Sequence, residues 1–403
     1  MTQKKFSYGW VIVAYGVLVM CTLHYLCFNS FALFMVPITE DLQISRATLA
    51  LVTTISSLVG MVMAPIAGRI LSRRSVKRLM FAGILVAGLS IAAQSRVASV
   101  VQLYVLAAVR DTASEFCLAM PFSMLMTRWF DKQRSFATSL IFVGISLGGT
   151  FFSNPLTALI AARGWRFSYA VCGLFVALLV APICLFVIRD HPEGAQEEVP
   201  EPQAGPEDRP SESIYKNPNF WLYIVGMCAN AFSFGIMYHM SAFIQSAGYA
   251  AAVAASMISL YNMVCIFGKM GVGWIFDRLG LRPGILFVSV GTISSFVLML
   301  VLLGAPSMAL LVLAAAAFGI GNVSQSMFSP ALISNIFGVK RYSEVYGISA
   351  SFTMLVSAFS NPVISGLYDA TGSYRLSWTL CLCTAAAGAV CLLWVSRRAK
   401  KQA

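Results

Sequence analysis

Apolar runs of about 20 residues recur along the whole of this 403-residue chain, separated by charged or Pro/Gly-containing breaks. As an α-helix, each is long enough to cross a hydrocarbon core of about 30 Å. Backbone polar groups in lipid must be satisfied within the protein, which leaves helices as the way to pack so many such runs. Composition agrees: 58% of residues are hydrophobic and 11% charged, against roughly 25% charged in a soluble domain. These features exclude a soluble enzyme and a nucleic-acid-binding protein, and imply a multi-pass protein of the cell membrane.

Spans are expected near 9–35, 47–71, 79–95, 100–127, 135–161 and 167–188, then near 219–245, 252–275, 284–303, 307–336, 344–367 and 376–396. The runs at 79–95 and 284–303 are the shortest. The first run follows Lys4 and Lys5, is too long for a signal-peptide core and lacks a small-residue cleavage site, so it is expected to be a retained span.

The 28 basic residues test this layout. Connections on one side receive 21 of them: Lys4 and Lys5; Arg69, Arg73, Arg74, Lys77 and Arg78; Arg128, Lys132 and Arg134; Arg189, Arg209 and Lys216; Arg278 and Arg282; Lys340 and Arg341; Arg397, Arg398, Lys400 and Lys401. The other side receives five, Arg46, Arg96, Arg163, Arg166 and Arg375. Positive charge collects on the cytoplasmic side, so both termini are expected there. The net charge of +12 is then a topology signal rather than the footprint of an anionic polymer. Arg110 and Lys269 remain, both inside expected spans.

The connection between the sixth and seventh runs is acidic and Pro-rich, carrying eight of the sixteen acids. Such a segment is expected to be a cytoplasmic linker, dividing the chain into six-helix halves at 1–189 and 218–403 with the linker at 190–217. The halves also repeat one another. Phe152-Ser153-Asn154-Pro155 recurs as Phe359-Ser360-Asn361-Pro362, and Phe130 and Arg134 match Phe337 and Arg341 at the same offset. Gly164, Arg166 and Ser168 echo Gly372, Arg375 and Ser377, and Cys27, Asn29 and Phe31 echo Cys228, Asn230 and Phe232. Two related halves with a substrate site near the midplane are a secondary-transporter architecture. All ten cysteines fall in apolar segments, where thiols act as small hydrophobes, so no disulfide framework, metal site or cofactor is expected.

After the eighth run the chain reads Gly273-Trp274-Ile275-Phe276-Asp277-Arg278-Leu279-Gly280-Leu281-Arg282. This resembles the G-x-x-x-D-R-x-G-x-R loop of the major facilitator superfamily, and so implies its twelve-helix fold. An Asp at a helix end there can pair with an Arg or a helix N-terminus as a latch that breaks when the halves rock. The first-half loop keeps Gly68 and Arg69, with Arg73 further on, but has Ser72 and Ser75 where the family has Asp and Gly. Tyr8-Gly9-Trp10-Val11-Ile12-Val13, Arg128-Trp129-Phe130 with Arg134, His239 and the run from Gly268 to Gly280 resemble the bacterial oxalate/formate antiporter and monocarboxylate transporter group. In that group a cation four positions before the span-8 motif glycine binds the substrate carboxylate, which here implies Lys269. Depth supports it independently: eight residues of helix place Lys269 about 12 Å from Asp277, where a charge is costly and signals function. A Lys reaching for the cytoplasmic interface, or neutralised by an acid, is the plainer alternative.

The chain departs from that group in three places. Gly347 to Pro362 lacks the second cation of the oxalate exchangers, and the proton-linked Lys and the Asp of the animal monocarboxylate transporters fall on Asn29 and Cys265. It has instead Arg110-Asp111-Thr112-Ala113-Ser114-Glu115 in the fourth span. Asp111 and Glu115 are four apart and share a helix face, and two close carboxylates away from water do not readily both ionise. Glu115, or less readily Asp111, is a candidate proton-coupling site, with Arg110 a second substrate or gating cation. The competing reading is an Arg–Asp pair that only locks the span. Tyr25, Asn29 and Asn322 are further candidates for substrate contact, with His24 and Asn262 weaker. Asn154-Pro155 and Asn361-Pro362 suggest helix bends, and Gly144, Gly148 and Gly149 suggest close helix packing.

The function these features point to is a monomeric secondary carrier for a small monocarboxylate such as lactate, pyruvate or formate, coupled to protons. Exchange of organic anions is the alternative. A drug-efflux carrier fits less well because the four buried ionisable groups sum to zero charge, and a transporter-like receptor would need an added signalling domain.

Overall fold

Every apolar run forms helix, and no strand occurs among the described residues. The structure is a computed structural model and describes residues 8–44, 46–130, 133–190, 214–338 and 341–402. Most of the expected linker at 190–217 lies outside them. Chain contacts divide the protein into two compact units, Met1–Gln196 with Arg341–Ser351, and Glu197–Lys340 with Phe352–Ala403.

In the first unit, α1 (Gly9–Val19) passes into a π-helical stretch, Met20–Asn29, and resumes as α2 (Phe31–Leu42). The helices α3 (Arg46–Arg73), α4 (Val76–Gln94), α5 (Val100–Glu115) and α6 (Ala119–Trp129) follow. Next comes α7 (Arg134–Phe175), broken at Gly164, and then a short π-helical turn and α8 (Ala181–Val187). Serines start two of these helices: the hydroxyls of Ser75 and Ser99 accept from the backbone amides of Arg78 and Gln102, each at 3.4 Å, satisfying donors that the first turn leaves open. Close approach comes from glycine. A Cβ on Gly144 would lie 2.6 Å from the Val17 carbonyl, and one on Gly148 2.5 Å from that of Cys21. Gly149, expected to pack the same way, has nothing within 4 Å, because it lies on a different side of α7.

At one end of this unit Arg166 fastens three segments. Its guanidinium pairs with Asp41 at 2.7 Å, donates to the carbonyls of Val97 and Ser95, and lies over the Trp165 ring. At the other end Arg189 sits over the Tyr8 ring, Tyr8 packs on Trp129, and the Trp129 indole donates to the Arg189 carbonyl at 3.0 Å.

The second unit holds α9 (Pro218–Ser233), a 3-10 stretch Phe234–His239, α10 (Met240–Ser246), α11 (Ala251–Arg278), α12 (Leu281–Leu302), α13 (Met308–Asn322) and α14 (Ser324–Ile336). It also holds α16 (Arg375–Gln402) and the later part of α15 (Tyr342–Thr371). Its centre is aromatic: Phe234, Tyr261 and Phe296 surround Phe318, and Phe243 and Phe296 pack on the fully buried Trp378. The two runs expected to be shortest form helices of 19 and 22 residues, α4 and α12.

Eleven helices among the described residues are long and apolar enough to cross a membrane. The remaining expected span, near 100–127, is divided at Phe116–Leu118 into α5 and α6. Outward-facing side chains are apolar and large, with Phe186 80% and Phe267 67% exposed, as suits a surface in contact with lipid.

Equivalent positions of the repeat do equivalent work in each unit. Gly164 and Gly372 both take positive φ, +80° and +66°, and Ser168 and Ser377 behind them are fully buried. Phe130 meets Trp10 at the start of the first span, and Phe337 meets Phe220 at the start of the seventh.

Candidate functional site

A buried cation needs surroundings that keep it in place. Lys269 lies in the interior of α11 and is 5% exposed. One turn earlier, Cys265 is also buried, and its sulfur receives the Asn322 side-chain amide from the end of α13 at 4.0 Å. Small residues bring these helices together: a Cβ on Gly319 would lie 2.5 Å from the Tyr261 carbonyl, and one on Gly268 2.9 Å from Val323. Lys269, Cys265 and Asn322 therefore form one polar patch in the second unit. Asn262 is exposed on α11 and returns its amide to the Ile258 carbonyl of its own helix.

In the first unit, neighbours along a helix point about 100° apart and do not ordinarily meet. Arg110 is long enough to fold back. Its Nε donates to one Asp111 carboxylate oxygen at 2.8 Å and Nη2 to the other at 3.0 Å, with a longer contact from Nη2 to the Ser56 hydroxyl. Both residues are buried, at 4% and 2% exposure. Two parallel charge-assisted bonds hold the pair. Glu115, one turn beyond Asp111, is half-buried and makes no salt bridge among the described residues. The three charges thus separate into a closed pair and a single carboxyl group.

Of the other expected contacts, Tyr25 is 2% exposed and its hydroxyl meets that of Ser153 at 2.9 Å. Asn29 is exposed at the end of the π-helical stretch, and His24 is half-buried against Phe28. Helix continues through Pro155 and Pro362, and the Asn154 side chain lies outside the described residues. Asn361, read from sequence as part of a bend, hydrogen-bonds His239 at 2.7 Å, and Ser365 and Tyr374 complete the ring's surroundings. Ser56 carried no signal of its own in the sequence, since isolated serines are scattered through most spans, and Ser153 stood out only as part of the repeated Phe152–Pro155 stretch.

The loop motifs differ between halves for a visible reason. Gly273 is buried within α11, Asp277 is half-buried near its end, and Arg278 is exposed. Gly280 then turns the chain with φ 92° and ψ 178°, a conformation open essentially to glycine. In the first half Arg69 and Arg73 are exposed, Ser72 bonds back to the Arg69 carbonyl, and Ser75 adopts an extended conformation as the cap of α4. A capping serine starts the helix where the second half uses a positive-φ glycine. The aromatic residues at the start of α1 and those at the end of α6 also come together, Tyr8 with Trp129 at 5.6 Å and Trp10 with Phe130 at 5.1 Å.

The model of the Major Facilitator Superfamily matches residues 17–327 and again residues 273–403. The chain belongs to that superfamily. It is therefore a multi-pass membrane transporter. It resembles the MFS transporter asaE of Aspergillus flavus, 23% identical over 340 residues that cover 82% of this chain and 74% of that protein. Monocarboxylate transporter 13 of Rattus norvegicus is 22% identical over 376 residues, covering 93% and 86%. Among solved structures, the E. coli fucose:proton symporter FucP matches with a TM-score of 0.71 at 13% identity, over 97% of this chain and 99% of that one. That likeness places the transporter's helices in the superfamily fold.

Proposed function

We propose that this transporter carries a small monocarboxylate such as lactate, pyruvate or formate by alternating access, with a proton moving in the same direction. The observation that carries the reading is the distribution of buried charge. Arg110 is held by Asp111 through two hydrogen bonds, so its charge is already answered. Lys269 sits buried in the interior of α11, one turn from Cys265, whose sulfur receives the Asn322 side-chain amide. An ionisable residue at such depth is costly unless used. In this reading Lys269 binds the substrate carboxylate, Asn322 orients it, and Asn29 and Tyr25 are secondary contacts. Glu115 takes up and releases the proton, because among the described residues it forms no ion pair of the kind that joins Asp111 to Arg110. Asp277, Arg278 and Arg69 belong to the loops that shift between states.

Thermal stabilisation of the purified transporter by lactate, pyruvate and formate tests the site. Stabilisation in the native protein that disappears in Lys269→Ala is the expected result; stabilisation that survives the substitution removes Lys269 from the site. Coupling is tested in proteoliposomes. Glu115→Gln is expected to abolish accumulation driven by a pH gradient while leaving counterflow. Full gradient dependence in that variant refutes the role given to Glu115. Rapid counterflow in the native protein, with no response to a pH gradient, favours exchange of organic anions instead.

A further inference from the structure

On the flank of the first unit, α4 and α5 leave an apolar trough with a volume of about 540 Å³. Leu79, Ala82, Gly83 and Val86 supply one wall at helical spacing, and Val105, Val109, Thr112 and Phe116 are among those supplying the other. Its floor is shallow-sided because Ala82, Gly83, Ala108 and Ala113 are small, while larger side chains stand along the edges. From Val105 to Phe116, the residue that caps α5, is eleven residue steps, about 16 Å. That is about half the 30 Å hydrocarbon core, the depth of a single leaflet.

The trough ends at the most basic connection in the protein. Ile70 closes it from α3 and Leu79 from α4, and between them lie Arg73, Arg74, Lys77 and Arg78. Arg73 stands one turn beyond Ile70, and Arg78 one turn before Ala82, so helical spacing puts both on the trough's side. Arg73, Arg74 and Arg78 are exposed. None of the five cations from Arg69 to Arg78 forms a salt bridge among the described residues. The nearby carboxylate of Asp190 accepts instead from the Lys77 backbone amide at 2.8 Å, at the start of α4.

We propose that this trough is a binding site for an anionic phospholipid of the bilayer, with one acyl chain lying between α4 and α5 and its phosphate held by Arg73 and Arg78. Guanidinium groups suit phosphate because they present paired donors in a plane. Charge and length agree: the cations stand at the headgroup end, and the apolar surface extends one leaflet inward. A zwitterionic lipid fills the same trough but gains less from the arginines, since basic residues at the interface favour anionic lipid.

Native mass spectrometry of the detergent-purified transporter, titrated with phosphatidylglycerol or phosphatidylcholine of the same chains, measures the preference. Phosphatidylglycerol is expected to bind about tenfold tighter or more. The double variant Arg73→Gln/Arg78→Gln is expected to remove that preference, and Arg73→Lys/Arg78→Lys to keep most of it. Val86→Trp and Val109→Trp place bulk at two exposed edges of the trough without entering the core, and are expected to weaken phosphatidylglycerol binding with every cation in place. The proposal is overturned if the double Gln variant keeps the full preference, or if both Trp variants bind as the native protein does. It is also overturned if glycerol 1-phosphate competes with phosphatidylglycerol at equal concentration, because the site would then recognise a free anion.

Discussion

Arg110 and Asp111 are adjacent in sequence, and nothing in their spacing says whether the guanidinium serves a ligand or its own neighbour. The side-chain geometry answers that they are paired, and the pairing has an energetic consequence. Removing one member of a buried ion pair leaves the other uncompensated, at a cost of about 3–5 kcal/mol, whereas replacing both with apolar residues is often nearly neutral. Arg110→Leu and Asp111→Leu are each expected to lower the unfolding temperature strongly, and the double variant to recover most of the loss. Equal losses in all three would show that the pair's partners, such as Ser56, matter more than its internal charge balance. Lys269 and Glu115 were legible in the sequence in another way. Their depth in apolar runs marks them regardless of neighbours, but the grouping of Lys269 with Asn322 through Cys265 depends on where α13 ends beside α11. No spacing within one helix contains that information.

Among elements, helix limits were readable wherever charge, Ser or Gly punctuates an apolar run, which is why most spans lie close to their expected limits. The π-helical stretch Met20–Asn29 was not, since it contains neither Pro nor Gly to mark a change of helix geometry. Glycine packing was half legible. A Gly-rich helix implies close contact somewhere, but only the direction of each Cα–Cβ bond decides which glycine makes it. Gly144 and Gly148 face the first span at backbone distance, and Gly149 faces open space. Gly144→Leu and Gly148→Leu are therefore expected to separate α7 from the first span and cost about 1–3 kcal/mol or more through overpacking. Gly149→Leu is expected to leave thermal stability within about 0.5 kcal/mol. Melting curves of the three variants, compared in one detergent, check the contrast; a Gly149 variant as damaged as the other two would contradict it.

For the whole molecule, duplication was legible because matched residues keep their structural jobs: Gly164 and Gly372 both turn the chain, and Phe130 and Phe337 both brace the first helix of their unit. Orientation in the membrane rests on a different property, the distribution of charge between connections. The loop from Arg69 to Arg78 carries five cations, while the connection containing Arg163 and Arg166 carries two. Arg166 is moreover engaged with Asp41, which leaves that end of the first unit with little net positive charge. The bias in Lys and Arg between short loops directs orientation, so the Arg69–Arg78 connection is expected on the cytoplasmic side and Arg163 on the opposite one. Arg74 and Arg163 are both exposed, so each can be tested as Arg74→Cys or Arg163→Cys in a background freed of the native cysteines. A membrane-impermeant maleimide added to intact cells is expected to label the Arg163 variant at once and the Arg74 variant only after the membrane is opened. The reverse pattern would invert the orientation and place the proposed anionic-lipid site in the outer leaflet.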